Sequence, residues 1–535
     1  MRKEHGGGRV RAPGHFDHRD HRSTLAAQPR RGRWQRRDLS RELHPTLAVP
    51  DARWRQAQRV RRRRLTRRGQ VTLAALVGSL LLCVVWLTGL LDALGPVRSA
   101  HALTTLAVDV AAPPAPDPDR APEPEPQPVR APTGLLERLP VTETAFDHLE
   151  SPGPVMEVGT EARSARRLAE QVFTGPGQSP LRVEYTMDAE LTRMVFRVLE
   201  RGRVALGNVV VMQPTSGRVL AYASTDSEQF PPTRTYPAAS LVKVITAAAA
   251  LDAAPRTARL PCRYTGSPYR LTPSRIDPPA HGNTISLRRA LATSNNQCLA
   301  QLAVHALGAP RLMAALDRFG WLDSPAPGHA AGQADPGDEP YDLGKLGSGL
   351  AGTRITPLHA AQLAAVLVHG ELVAPRWVER VVDPSLGREL EVPSPAAPRR
   401  VLSPQLTTEL RSMLVDTTRV GTARRAFRGR GGRPLLGPVQ VAGKTGSLSG
   451  KHPDGRYEWF IGVAPADDPR LVIASLVVQK PLWWRTSSQI AADVLHGIFC
   501  DGGSCSAENA DRFIQVPAAA AALARAGSEP TEQLN

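Results

Sequence analysis

The sequence predicts one α+β domain behind a single membrane anchor, and three observations carry that reading. The stretch "GNVVVMQPTSGRVLAYAS", from Gly207, is two β-rich runs around a turn at Pro214–Gly217. From Ser240 to about residue 380 the pattern is helical, broken by Gly/Pro loops. Strand patterns then return in "VQVAGKTGSLS", "YEWFIGVAPA" and "LVIASLVVQ". Two strands, a long helical insertion and three more strands suit one mixed domain better than several.

The chain has 535 residues and a formal charge of +17, which suggests a nucleic-acid binder until the charge is located. Residues 1–70 hold 21 Lys+Arg against 6 Asp+Glu, so +15 of the total sits there. The remainder is almost neutral, so a basic nucleic-acid face on the fold is not expected. Without an apolar period, residues 1–70 read as a disordered cytoplasmic tail.

Residues 71–91, "VTLAALVGSLLLCVVWLTGLL", contain no charge. As a helix rising ~1.5 Å per residue they span about 32 Å, enough to cross a hydrocarbon core of ~30 Å. A cleavable signal peptide is the competing reading, with "SAHA" before Leu103 as its cleavage site. Its charged region would be too long and its apolar core exceeds the usual ~7–15 residues. The Arg cluster before Val71 places the N-terminus in the cytoplasm and the rest outside it. The expected location is therefore the cytoplasmic membrane, as a single-pass protein with an extracytoplasmic domain.

Residues 92–133 are a Pro-rich linker expected to be extended. Residues 134–186 read as a small juxta-domain segment, followed by the main domain at 187–500 and a C-terminal tail at 501–535. "MDAELTRMVFRVLERG" places Leu191, Val195, Val198 and Leu199 on one helical stripe. "SSQIAADVLHGIF" reads as a late helix. Outside the anchor, Cys262, Cys298, Cys500 and Cys505 are even in number, as disulfides in an oxidising space require. Of the three connectivities, Cys262–Cys298 with Cys500–Cys505 is preferred.

In "YPAASLVKVITAAAALD" a charged amine lies one turn inside an apolar helix. Ser240 and Lys243, at i and i+3, share a face. A serine hydroxyl is a poor nucleophile until a base takes its proton. A lysine can be that base when desolvation and a second cation depress its pKa, whereas arginine stays protonated. The chain holds only 6 lysines against 61 arginines, so a lysine in an apolar stretch is less expected as surface charge. Two further elements follow. Ser294 and Asn296 in "ATSNNQ" precede a helical run, where Ser-Asn-Asn alone would read as an N-cap signal. Lys444, Thr445, Gly446 and Ser447 lie on a strand pattern that alone could be an edge strand.

In this order, on helix, loop and strand, these elements resemble the S-x-x-K, S-x-N and K-T-G set of penicillin-binding proteins and serine β-lactamases. The resemblance covers roughly residues 187–500 and is to the monofunctional class B-like transpeptidases. It implies a five-stranded antiparallel sheet flanked by helices, with a helical subdomain. It implies Ser240 as the acylated nucleophile, Lys243 as its base and Ser294 as proton relay to the departing amine. Asn296 would hold the substrate's peptide amide. Lys444, Thr445 and Ser447 would bind its terminal carboxylate, while Gly446 permits close approach of the strand. Ser240 and Ser447 backbone N–H groups would form the oxyanion hole.

Where many relatives have Pro-Gly before the nucleophile, this chain has Pro237, Ala238 and Ala239. It lacks the Glu-x-x-Leu-Asn sequence of class A β-lactamases, and its second motif is Ser294-Asn295-Asn296 where class D has S-x-V. His281, His305 and His359 read as packing or loop residues, and Trp483 and Trp484 as core. No metal or cofactor motif is present, so none is expected. The implied activity is peptidoglycan D,D-transpeptidation, inhibited by β-lactams, with glycan polymerisation supplied by a partner glycosyltransferase. The alternatives are a D,D-carboxypeptidase or β-lactamase, a β-lactam sensor, and a non-catalytic membrane scaffold.

Overall fold

The computed structural model describes residues 129–149, 167–479 and 485–514. The expectations for the tail at 1–70, the span at 71–91, most of the linker, and Trp483 and Trp484 lie outside the described residues. In chain order the elements that frame the site begin with α1 (Thr133–Glu137), α2 (Glu143–Asp147), β1 (Arg167–Val172), β2 (Leu181–Asp188) and α3 (Ala189–Arg201). They continue with β3 (Leu206–Met212), β4 (Val219–Ser224), α4 (Val242–Ala253), α5 (Asn296–Gln301), α6 (Gly308–Arg318), α7 (Pro340–Ser348) and α8 (Pro357–His369). After these come β5 (Val378–Asp383), β6 (Arg388–Leu390), α9 (Pro404–Arg419), β7 (Ala442–Gly450), β8 (Gly455–Ala464), β9 (Leu471–Gln479) and α10 (Ser487–Phe499).

The main sheet has five antiparallel strands in the order β7-β8-β9-β3-β4, as the resemblance implies. Its first two strands in sequence lie at one edge, and the late trio completes it. The β3–β4 turn ends at Gly217, φ +70, where an added Cβ would stand 2.0 Å from the Ala374 carbonyl oxygen, so only glycine fits. Strands β3, β4 and β9 are buried at every position, which matches their continuous apolar runs. Helix α3 begins where Asp188 accepts the Leu191 N–H at 2.8 Å, and its predicted stripe of Leu191, Val195, Val198 and Leu199 is fully buried. It packs against β4 and α10, while α8 packs on β3, β8 and β9.

The expected juxta-domain segment differs in kind. Strands β1 and β2 join β5 and β6 in a second sheet, with Val183 opposite Val381. Trp377 Nε1 donates to the Arg138 carbonyl at 2.8 Å, and Ser224 N to the Val141 carbonyl at 2.6 Å. The boundary expected at residue 187 thus falls inside β2. Residues far apart in the chain make this sheet, and local composition carries no sign of it. Order also begins before the expected end of the linker, since Arg130 bridges to Glu391. At the other end, the expected tail opens with structure through Ile514, anchored by buried Ala510 and Phe513.

Both preferred disulfides are formed, Cys262–Cys298 and Cys500–Cys505, with Cα separations of 5.7 and 4.0 Å. The first closes a loop of 36 residues onto α5. The double substitution Cys262→Ser with Cys298→Ser should lower unfolding free energy by about 3–4 kcal/mol on loop-entropy grounds. Denaturant unfolding without reductant measures it, and an unchanged midpoint would contradict that role.

Among the described residues one helical run, Asn296–Arg318, is long and apolar enough to cross a membrane. Half of its most apolar window is buried in the fold, and it joins α5, a π-helical turn and α6. It is a core helix.

Candidate active site

The nucleophile motif sits on a tight turn. Tyr236–Pro237 pairs with Thr353–Ile355, and a 3-10 turn over Ala239–Leu241 leads into α4. Ala239, directly before Ser240, has φ +50, a left-handed conformation that costs a non-glycine residue about 1–2 kcal/mol. Gly349, φ +72 after α7, lies behind it, and an added Cβ there would approach the Ala239 carbonyl oxygen to 2.0 Å. The site therefore needs a glycine at 349 although 239 is an alanine. Every α4 residue from Val242 to Leu251 is buried, Lys243 included.

The second motif divides its labour. Asn295 is the N-cap, its Oδ1 accepting the Cys298 N–H at 3.1 Å. Ser294, at φ +57, and Asn296 are thereby released to face Lys243. Helix capping and contact with Lys243 thus coexist in Ser-Asn-Asn, on adjacent residues. Both amide atoms of Asn296 are engaged, Oδ1 by Lys243 Nζ and Nδ2 by the Tyr269 carbonyl at 2.6 Å.

The third motif occupies β7, the edge strand, whose outer side borders the nucleophile turn. An added Cβ on Gly446 would lie 3.2 Å from the Ala238 carbonyl oxygen and 3.3 Å from the Ala239 Cβ. That close approach is the reason for a glycine there. Trp459 on β8 fixes the same contact by donating Nε1 to the Pro237 carbonyl at 2.8 Å.

Four of the predicted residues converge on two amines. Lys243 Nζ lies 2.9 Å from Ser240 Oγ, 3.0 Å from Ser294 Oγ, 3.0 Å from the Ser294 carbonyl and 2.5 Å from Asn296 Oδ1. Lys444 Nζ reaches the same Ser294 Oγ at 2.9 Å and the Thr445 carbonyl at 2.7 Å. Desolvation first, and the Lys444 charge second, hold Lys243 well below the ordinary lysine range. Burial brings Lys444 down to about 7. The two share one hydroxyl, so the pair does not hold two protons comfortably. A cation on Lys444 thus favours the neutral form of Lys243. A neutral Lys243 can give its two N–H bonds to the acceptor-only Ser294 carbonyl and Asn296 Oδ1. Its one lone pair is then left to accept from the hydroxyl of Ser240 or of Ser294.

The hydroxyls of Thr445 and Ser447 bond to other partners than the lysines. They line a cleft of about 810 Å³ with Ser240, Ser294 and Asn296. Thr445 Oγ1 shares a hydrogen bond of 2.6 Å with Thr422 Oγ1, and Ser447 Oγ accepts from Arg456 Nε at 2.6 Å. Thr422, Arg456 and Glu458 are cleft residues that the sequence reading missed. Arg456 and Glu458 alternate with the buried Tyr457 and Trp459, a period-2 signal for one face of a strand. Only the β7–β8 register places that face beside Ser447.

The three histidines differ in setting. His359 completes a capping box with Thr356 and reaches the Asp323 carbonyl at 2.8 Å, with burial lowering its pKa to about 4. His305 pairs with Asp277 at 3.0 Å, and His281 is exposed.

Comparison with known proteins agrees with this geometry. Residues 207–499 match the family described as penicillin binding protein transpeptidase domain. The peptidoglycan D,D-transpeptidase PbpA of Mycolicibacterium smegmatis is 30% identical over 370 residues, covering 60% of this chain and 72% of that protein. The Mycobacterium tuberculosis protein of the same name is 28% identical over 392 residues, covering 65% and 77%. The ceftriaxone acyl-enzyme complex of penicillin-binding protein A from M. tuberculosis superimposes with a TM-score of 0.50 at 26% identity, covering 61% of this chain and 81% of that one.

Proposed function

This chain belongs to the penicillin-binding protein transpeptidase family, and from that premise we propose that it is a peptidoglycan D,D-transpeptidase acting through an acyl-enzyme on Ser240. The observation that carries the reading is the single amine, Lys243 Nζ, within hydrogen-bond reach of Ser240 Oγ, Ser294 Oγ and Asn296 Oδ1. The named relatives are D,D-transpeptidases, and an acyl-enzyme with a β-lactam exists for one solved structure of this likeness.

The roles follow from the chemistry each group can perform. Ser240 Oγ attacks the carbonyl carbon of the penultimate residue of a stem peptide while Lys243 takes its proton. The proton passes through Ser294 Oγ to the amine of the terminal residue as the C–N bond breaks. That leaves an ester on Ser240, which the amine of a second stem opens to form the cross-link. Thr445 and Ser447, with the cationic Lys444 behind them, receive the terminal carboxylate. Asn296 holds the substrate amide, the Tyr269 carbonyl giving up its share of Nδ2. The backbone N–H groups of Ser240 and Ser447 stabilise the developing oxyanion, a contribution of about 3–4 kcal/mol per donor elsewhere. β-Lactams inhibit by acylating the same serine.

Incubating the full chain with a synthetic stem peptide and an amine acceptor tests the reading. Cross-linked product supports it. Release of the terminal residue with hydrolysis alone would favour the carboxypeptidase, and no turnover or labelling by penicillin would favour the scaffold.

Lys444 offers a pH test of the electrostatics. Lys444→Met removes the cation that helps depress Lys243, so the Lys243 pKa must rise. The acid limb of the acylation–pH profile should move to higher pH, along with a lower maximal rate. A slower enzyme with an unmoved limb would mean that Lys444 acts only by contact.

We also propose the membrane arrangement drawn from the sequence: cytoplasmic tail, one span at 71–91, and the catalytic domain outside, working with a separate glycosyltransferase. A reporter fused after Asn535 should be active only outside the cytoplasm. Cytoplasmic activity would overturn that topology.

A further inference from the structure

Arg456 and Glu458 stand two residues apart on β8, so both side chains leave the same face of the strand. Glu458 is directly opposite Ser447 in the β7–β8 register. Arg456 Nε donates to Ser447 Oγ at 2.6 Å and lies 3.3 Å from Glu458 Oε1. Glu458 is held from behind. Its Oε2 accepts from Gln479 Nε2 at 3.0 Å.

The two partners are unequal in exposure. The Arg456 side chain is 60% exposed and that of Glu458 13%. An arginine free to wander would gain little from an exposed ion pair. Here one nitrogen is fixed between a half-buried carboxylate and a cleft hydroxyl. Among the described residues no partner occupies its η nitrogens, and Arg456 lines the cleft beside Ser447. A guanidinium presents its donors as a planar fork matched to a carboxylate.

Resting on the reading that Thr445 and Ser447 receive the terminal carboxylate, we propose that Arg456 is an additional carboxylate-binding group of this enzyme. Glu458 anchors its Nε against Ser447 and leaves the η nitrogens for the anion. Arg456 then governs how strongly the enzyme prefers ligands that carry that carboxylate. Glu458 is its positioning residue and does not touch the ligand.

The test compares acylation of the full-length chain in detergent by benzylpenicillin and by its methyl ester, which lacks the anion. Wild type should acylate faster with the acid. Arg456→Ala should slow the acid by about 10- to 100-fold, as expected for a hydrogen bond to a charged group, and the ester by less than about 3-fold. Arg456→Lys should restore part of the preference. Glu458→Gln should lose a smaller part of it, because the arginine stays but its ionic tether is gone. Equal slowing of acid and ester by Arg456→Ala would reduce the residue to a structural role. No slowing of either would dismiss it. Should wild type itself fail to distinguish acid from ester, the carboxylate reading of Thr445 and Ser447 falls and this proposal with it. Should Arg456→Ala retain the wild-type preference, this proposal alone falls.

Discussion

Lys243→Arg is expected to remove β-lactam acylation almost as completely as Ser240→Ala, while the domain remains folded. On its proposed role Lys243 must accept a proton from Ser240 at 2.9 Å, and a guanidinium is protonated at any accessible pH. Arginine brings a permanent positive charge at similar reach, so the substitution separates charge from basicity. General-base help is worth about 10²–10⁴-fold, and the acylation rate constant should fall by that order. Folding needs its own check, because Lys243 is fully buried and a larger cation there must find new partners beyond Ser240, Ser294 and Asn296. Thermal unfolding of Lys243→Arg beside Lys243→Met supplies it, since Met fills the space without charge or base. The labelling measurement uses a fluorescent penicillin and the full chain. Near-wild-type labelling of Lys243→Arg would show that only positive charge was required and would remove the general-base role.

The amine at position 243 is also where the sequence was most readable, for a physical reason. Short-range spacing sets which residues share a helical face, so Ser240 and Lys243 could be paired from the chain alone. The same holds for α3, whose stripe is a local period, and for the late strands, whose apolar runs are local as well. The two disulfides were weaker inferences, because parity limits the pairings without choosing among them. What stayed hidden is long-range. Strand β2 pairs with β5 across nearly 200 residues, with Tyr185 facing Val378, and neither sequence announces the other. The left-handed backbone at Ala239 and Ser294 was likewise invisible, since neither residue type favours it. Gly349, which makes room for Ala239, belongs to a helix end more than 100 residues away. Arg456 and Glu458 alternated correctly for a strand, but the register that sets them against Ser447 exists only once the sheet is formed.

That register also bears on the fate of the acyl-enzyme. A penicilloyl ester on Ser240 is expected to persist for minutes to hours, because rapid hydrolysis needs a base to activate water, worth about 10²–10⁴-fold. The sequence lacks the glutamate motif that serves class A β-lactamases. Among the described residues lining the cleft, Glu458 is the one carboxylate. Burial raises its pKa, a change that by itself suits a base. Its bonding does not. One oxygen accepts from Gln479 at 3.0 Å and the other lies 3.3 Å from Arg456. A carboxylate so engaged has little capacity left to take a proton from water. It also sits beyond Ser447, on the side proposed to bind the carboxylate, away from Lys243 and Ser294. Lys243 itself is a poor substitute after acylation. Two of its neighbours are acceptors that occupy its N–H bonds, and the tethered remnant of the drug blocks the acceptor side. Intact-mass spectrometry of the full chain, followed after excess benzylpenicillin is removed, measures the lifetime directly. Glu458→Gln should leave that lifetime unchanged within about 3-fold, because the group it alters is not the base. Rapid multiple turnover with no surviving adduct would make the protein a β-lactamase. A lifetime that lengthens sharply in Glu458→Gln would identify the missing base as the one carboxylate assigned here to holding Arg456.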